Sequence, residues 1–503
     1  MDARRIDFGP FQFECSTGVL CRDGTLVPLG SRGAALLAAL LEAEGAVVAK
    51  QTLIDHAWKG AAVEENNLPV QIAALRKVLG QRSDGSEWIA TAARTGYRLA
   101  RDVAGEGLPA IAVLPFIAMD DVGSFADGFV EDLITALSRF KTFTVVARVS
   151  TEAFRGGGDA RETAQALGVR YLVEGSVRRN GERVRLTAQL IDGASGLHLW
   201  SEKLDGTLEG IFDLQDRLVA GVVGVFEPHI RRAEIDRARR KRPESLGAYD
   251  LYLRALPLLR GVRDMRLEHF DEAILLLDQA IALDPGFAPA LALCAAAHEL
   301  RVTNGGTAPV GVDDVREALS LIERALQEDS SDAMVLVQAG ALHLILANDE
   351  RRAFALLGAA EALNPNSLLI ANIAAYCSWY AGHIESSIAR HLRALQLAPS
   401  VPEAVWSMNG LAQSYLSAGR ADEALHWGLR VLERTESLDS AHCVVAAAYV
   451  HLGQQARAED RIRRALALWP ELSVKRLIAF KRAPKAQFRL LKDGLLRAGL
   501  PAA

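Results

Sequence analysis

The sequence predicts a multidomain chain: a small α+β module, then an α/β domain, then an all-α solenoid of helical repeats. Three observations predict it. The 503 residues exceed what a single hydrophobic core normally organises. Short apolar runs broken by Gly and Asp give way along the chain to helical periodicity. Beyond residue 250 the sequence repeats a pattern of small residues, with successive copies starting 34 to 45 residues apart.

The composition, half hydrophobic and 24% charged, is that of a folded protein rather than a disordered one. A formal net charge of −5 excludes a chain that attracts nucleic acid as a whole, so any DNA contact must come from a local patch. Cys15, Cys21, Cys294, Cys377 and Cys443 are scattered without a CxxC pair and read as buried thiols in a reducing compartment. The opening MDARRIDFGPFQFE lacks the apolar core of a signal peptide, and no stretch approaches a membrane span. A soluble, cytoplasmic protein with no membrane contact is expected.

Residues 1–104 open with strand-like runs at Ile6 to Phe13, Val19 to Cys21 and Leu26 to Pro28. Ser31 can cap a helix running to about Glu44, Lys50 to Trp58 suits a second, and Asn66 to Leu79 a third. Trp88 to Leu99 alternates as a strand pair around Gly96. Charge is segregated within this module. Lys and Arg balance Asp and Glu at 12 each over residues 1–104, yet residues 76–101 hold six basic residues against two acidic. A neutral domain with a basic edge suits a phosphate-backbone surface.

This order of elements resembles the OmpR/PhoB-type winged helix-turn-helix. The resemblance rests on Leu53-Ile54-Asp55-His56-Ala57-Trp58, Ile72-Ala73-Ala74-Leu75-Arg76-Lys77-Val78-Leu79-Gly80, and the wing Ile89 to Leu99. It implies that the third helix lies in the major groove of double-stranded DNA and the wing touches the minor groove. By residue type, Asn66, Asn67 and Gln71 are the candidates to read bases, since an amide pairs bidentately with adenine; Asn66 or Asn67 can equally be the helix N-cap. Arg76, Lys77, Arg94 and Arg98 suit phosphates or a narrow minor groove. The chain departs from familiar members at Ala73 and Ala74, where charges are often found, and at Pro69, which is tolerable if the helix begins at Asn67 or Leu68.

A link at Gly105 to Pro109 opens residues 105–226. Strand candidates Ala110 to Phe116, Phe143 to Ala147, Val169 to Val177, Val184 to Asp192 and Leu197 to Leu204 there alternate with helical segments, an α/β pattern. Ile111-Ala112-Val113-Leu114-Pro115-Phe116, Phe125 to Phe129, Tyr171 to Val177 and Leu199 to Asp205 resemble the α/β domain of TolB-like proteins, a resemblance that implies architecture and no chemistry. Residues 227–253 read as a basic helical linker and lead-in, with seven cations between Arg231 and Arg242.

From 254 to 472 a small residue recurs, followed at +7 by another and at +12 by Pro: Ala273/Ala280/Pro285, Ala353/Ala360/Pro365, Ser387/Ala394/Pro399 and Ala458/Ala465/Pro470. Weaker copies stand at Ala318/Ala325 and Ala424/Val431, and Gly382, Gly419 and Gly453 lie five residues before the small position in three units. The array resembles the tetratricopeptide repeat in about six units, with residues 473–503 as a helical tail. Stacked helix pairs leave a groove for a protein or peptide partner, and a homodimer is a further expectation.

No GxxxxGK[ST], HExxH, GxSxG or paired Cys/His spacing occurs; Gly156-Gly157-Gly158 leads into Asp159, and His298-Glu299 lacks a second His. No catalytic residue, cofactor or metal is therefore expected. The sequence points to a one-component DNA-binding transcription regulator whose repeats mediate protein interaction or self-association. The alternative is a repeat scaffold whose winged helix no longer reads DNA specifically.

Overall fold

In the computed structural model, the described residues are 5–502 without 9–10, 15–16, 23–24, 44–47, 59–66, 81–86, 93–95, 100–107, 120–121, 157, 208–210, 242–245, 261–266, 305, 307 and 480–485. The chain divides into two compact units, residues 1–112 with 149–172 and 191–197, and residues 113–148 with 173–190 and 198–503.

The N-terminal module begins with a four-stranded antiparallel sheet, β1 (Arg5–Phe8), β2 (Phe11–Glu14), β3 (Val19–Arg22) and β4 (Thr25–Val27), paired in sequence order. The single run expected over Ile6 to Phe13 is a hairpin, with Phe8 opposite Phe11. Alternation puts Phe11, Phe13 and Leu20 on the buried face. Three helices follow, α1 (Ser31–Glu42), α2 (Lys50–Trp58, preceded by the short strand β5, Val48–Ala49) and α3 (Asn67–Leu79). Gly30, not Ser31, is the N-cap of α1, with no side-chain cap bond, because the chain turns helical one residue earlier than a Ser31 cap requires. The hairpin β6 (Ile89–Ala92) and β7 (Gly96–Leu99) closes the module. Phe8, Phe11 and Trp88 form one aromatic cluster, with ring centroids 5.3 to 5.7 Å apart, tying the opening sheet to the lead-in of that hairpin.

The middle of the chain holds β8 (Ala110–Val113), β9 (Ile117–Met119), α4 (Gly123–Leu137), β10 (Thr144–Val145), α5 (Arg148–Thr151), α6 (Ala160–Leu167), β11 (Tyr171–Asn180), β12 (Arg183–Asp192) and β13 (Leu197–Thr207). The sheet order is β10-β8-β11-β12-β13, with β9 parallel to β11. The 10-residue strand β11 runs past its apolar stretch to Arg178, Arg179 and Asn180, and the 10-residue strand β12 starts at Arg183.

A 30-residue helix, α7 (Ile211–Arg240), leads into α8 (Ala248–Arg260). The basic run expected to be a linker is mostly paired within the fold. Arg231 meets Glu227 at 3.1 Å and Glu403 at 3.3 Å, Arg237 meets Glu234 and Asp250, and Lys241 meets Asp250 at 2.6 Å. The helix was legible from the sequence, whereas Glu403, one of the two acids that hold Arg231, comes from 172 residues away.

The repeats are six antiparallel pairs: α8 with α9 (Leu267–Leu283), α10 (Ala288–Thr303) with α11 (Asp314–Glu328), α12 (Ala333–Ile345) with α13 (Glu350–Leu363), α14 (Leu368–Tyr380) with α15 (Ile384–Leu397), α16 (Ala404–Ser417) with α17 (Ala421–Arg434), and α18 (Asp439–His451) with α19 (Gln455–Leu468). All twelve recurring small positions fall on the second helices and are fully buried. A larger side chain there would force the paired helices apart. Gly382, Gly419 and Gly453 have φ of 86°, 78° and 74°, the left-handed turn between the helices of a pair. The equivalent residue before Ala353 is Asn348, at φ 54°. Asn tolerates this region better than other L-residues.

After α20 (Val474–Ala479), helix α21 (Arg489–Arg497) turns back onto α18 and α16. Phe488, 3% exposed, stands edge-on to Trp379 of α14 with centroids 5.2 Å apart. The Ser417 hydroxyl donates to the Gln487 carbonyl, and a His451 ring nitrogen lies 2.8 Å from the Leu490 carbonyl. The tail thus occupies the row of first helices in repeats four to six. Among the described residues no helix is long and apolar enough to cross a membrane.

Candidate nucleic-acid interface

Helices α2 and α3 form the helix-turn-helix pair, both packed on α1 through one core that includes Leu36, Leu40, Leu53, Ile72 and Leu75. Arg32 of α1 lies over the Trp58 ring, 5.6 Å from its centroid, and fixes the end of α2. Pro69 falls in the first turn of α3, where the missing amide has no intrahelical partner to lose.

The face that α3 presents follows from its period. Leu68, Ile72, Leu75 and Leu79 are buried at spacings of 4, 3 and 4. With about 3.6 residues per turn, the opposite face carries Val70, Ala73, Ala74 and Lys77, with Asn67 beside them at the N-terminal end. These five are exposed, and Val70 is 63% exposed. Gln71 and Arg76 lie on the flanks, half-buried.

Arg76 is engaged inward. Its guanidinium donates twice to the Ile89 carbonyl, at 2.9 and 2.7 Å, and pairs with Glu87 at 2.8 Å. It braces the C-terminal end of α3 against the first wing strand, whereas the sequence expectation for it is a side chain reaching out to phosphate. Gly96 is required where the wing crosses β5: Val48 pairs with Tyr97 and Ala49 with Gly96, and a Cβ at Gly96 would sit 1.9 Å from the Val48 carbonyl oxygen. That close approach sets the root of the wing. Asn66 and Arg94 lie outside the described residues, and Arg98 is described only as a strand residue opposite Ala90.

A buried ionised network in the repeats is structural. His298 and Arg301 both bond Asp314, linking α10 to the first turn of α11, and Arg301 also reaches Asp271 at 2.7 Å. Burial pushes the neighbouring Glu299 carboxyl up to about 7.

A family model described as transcriptional regulatory protein, C terminal, matches residues 24–99. A second, described as HilA/YgeH-like transcriptional regulator, second domain, matches residues 108–221, and a tetratricopeptide repeat model matches residues 405–438. The chain carries an OmpR/PhoB-type winged helix, a HilA-like regulator domain and C-terminal tetratricopeptide repeats.

The transcriptional regulator HilA of Salmonella typhimurium is 31% identical over 198 residues, 37% of this chain and 35% of that protein. A Rhizobium meliloti protein provisionally named adenylate cyclase 3 is 37% identical over 231 residues, 44% of this chain and 38% of that one. The Tol-Pal system protein TolB of Alkalilimnicola ehrlichii is a weaker likeness, 29% identical over 160 residues, 30% of this chain and 37% of that protein. This chain spans less than two-fifths of the length of each of these relatives.

Of the candidates named by residue type, Asn67 and Lys77 lie on the exposed face of α3, and Val70, not among them, shares that face. Its signal was present in the sequence: apolar residues at 68, 72, 75 and 79 already use the core-facing side, leaving Val70 with no place in the core.

Proposed function

We propose that the chain is a cytoplasmic one-component transcription regulator. Its winged helix docks α3 in the major groove of double-stranded DNA, with Asn67 and Gln71 toward base edges and Lys77, Arg94 and Arg98 toward phosphates. Asn66 is kept with them as a base-reading candidate. The observation that carries this reading is the free face of α3, standing clear of the core while Arg76 holds the helix to the wing.

The repeats bind a protein partner or a second copy of the chain, and the tail supports that half of the proposal. The tail already lies on the row of first helices through the amphipathic helix α21, anchored by the aromatic side chain of Phe488 just before it, a model of the ligand such a surface accepts. We take residues 1–104, 105–226, 227–253, 254–472 and 473–503 as the functional divisions. We assign the chain no catalysis, since the protein named for a cyclase is matched over only 38% of its length.

The test is retention of genomic DNA fragments by the full chain at two salt concentrations, beside a variant with Lys77, Arg94 and Arg98 changed to Ala. A discrete, salt-sensitive fragment set lost in the variant is the expected result. Equal retention by both proteins, or none by either, overturns the reading in favour of a repeat scaffold whose winged helix serves assembly.

A further inference from the structure

We propose that the exposed face of α3 reads thymine methyl groups, so that the chain selects A·T-rich half-sites chiefly by apolar contact rather than by charged hydrogen bonds. The inference deepens the DNA-binding reading above and rests on it.

Base recognition in the major groove has two chemistries. Long polar side chains pair with donors and acceptors on base edges, and short apolar ones pack on the C5-methyl of thymine. The side of α3 opposite its buried leucines offers mostly the second. Val70, Ala73 and Ala74 stand together there, bounded by Asn67 toward the N-terminus and Lys77 toward the C-terminus.

Val70 decides the matter. A branched aliphatic side chain 63% exposed on a surface helix loses transfer free energy to water, and the core cannot use it because Leu68, Ile72, Leu75 and Leu79 already fill the buried side. Ala73 and Ala74 have no side chain beyond Cβ, so they hold the helix close to the bases without intruding. A close approach is what a methyl contact of about 4 Å requires.

Within α3, the arginine that could read guanine is engaged elsewhere. Arg76, the one arginine of α3, is turned onto the Ile89 carbonyl and Glu87. Asn67 stands one turn before Val70 on the same side, and its amide suits adenine N6 and N7. One A·T pair or two adjacent ones would offer both an adenine edge and a thymine methyl to this pair of residues.

The test changes the DNA rather than the protein. The genomic duplex held most tightly by the full chain is prepared once with thymidine and once with deoxyuridine, which lacks only the methyl. Each methyl buried against the helix should be worth about fourfold in Kd, and two of them about fifteenfold. Val70→Ser keeps the exposed position and removes the apolar contact. It should bring the ratio of the two Kd values close to one.

Equal affinity of the wild-type chain for the two duplexes overturns the inference and leaves DNA binding intact. A ratio that survives in Val70→Ser also overturns it, because the methyls then act through duplex shape. If no duplex is retained at all, the DNA-binding reading itself fails and this inference falls with it.

Discussion

Two neighbouring cations on α3 have different jobs, and a pair of substitutions separates them. Arg76 spends its guanidinium on the Ile89 carbonyl and Glu87, whereas Lys77 is exposed on the outward face. Arg76→Ala should cost about 1–2 kcal/mol of stability, since it leaves a wing carbonyl without its charged donor. Lys77→Ala should leave stability unchanged and weaken DNA uniformly across sequences. Thermal melting of the two variants, read beside their fragment retention, checks this; an Arg76→Ala chain that melts like wild type would return Arg76 to the phosphate contacts. Composition alone could not divide the pair, because both count as basic edge. Their different angles about the helix axis divide them, and that angle is fixed by the four buried residues at 68, 72, 75 and 79.

At the scale of elements, what repeats was legible and what occurs once was not. Twelve small residues at a fixed offset announced six second helices, and each of them is fully buried because two helices cross there. Asn348 escaped the pattern since the search was for glycine, while the backbone asks only for a residue that accepts positive φ. The return of α21 onto α16 and α18 was invisible because its partners, Trp379, Ser417, Ala447 and His451, lie in three different repeats. Its hold depends on Phe488. Phe488→Ala should remove about 3 kcal/mol of packing, by analogy with other buried aromatic truncations. Hydrogen-exchange protection of the amides of residues 489–497 should then fall by about a hundredfold, with the amides of α10 and α12 unaffected. Protection unchanged in the variant would mean that the tail is held by its backbone hydrogen bonds instead. The same experiment asks whether the row of first helices can be vacated for another helix, since a tail that loosens selectively is one that a partner can displace.

Over the whole molecule the decisive quantity is how many cations remain available to DNA. The sequence counts 57 Lys and Arg against 62 Asp and Glu, which says nothing of where the surplus lies. Folding uses many of them internally. Arg231, Arg237 and Lys241 of the basic run are claimed by Glu227, Glu234, Asp250 and Glu403, and Arg76 by the wing. Lys77, Arg94 and Arg98 are the three proposed phosphate contacts of each winged helix. Counterion release turns that number into a slope: log affinity against log salt should fall at about −3 for one chain on one half-site and at about −5 for a dimer on two. Between 50 and 200 mM salt a single chain should weaken by about fiftyfold. A slope steeper than about −8 would mean that the run from Arg231 to Arg242 also meets the duplex, against the pairings that hold it in the fold. A slope near zero would leave the apolar face of α3 without the phosphate contacts that fix its register, and a winged helix in that condition could bind a partner but not choose a promoter.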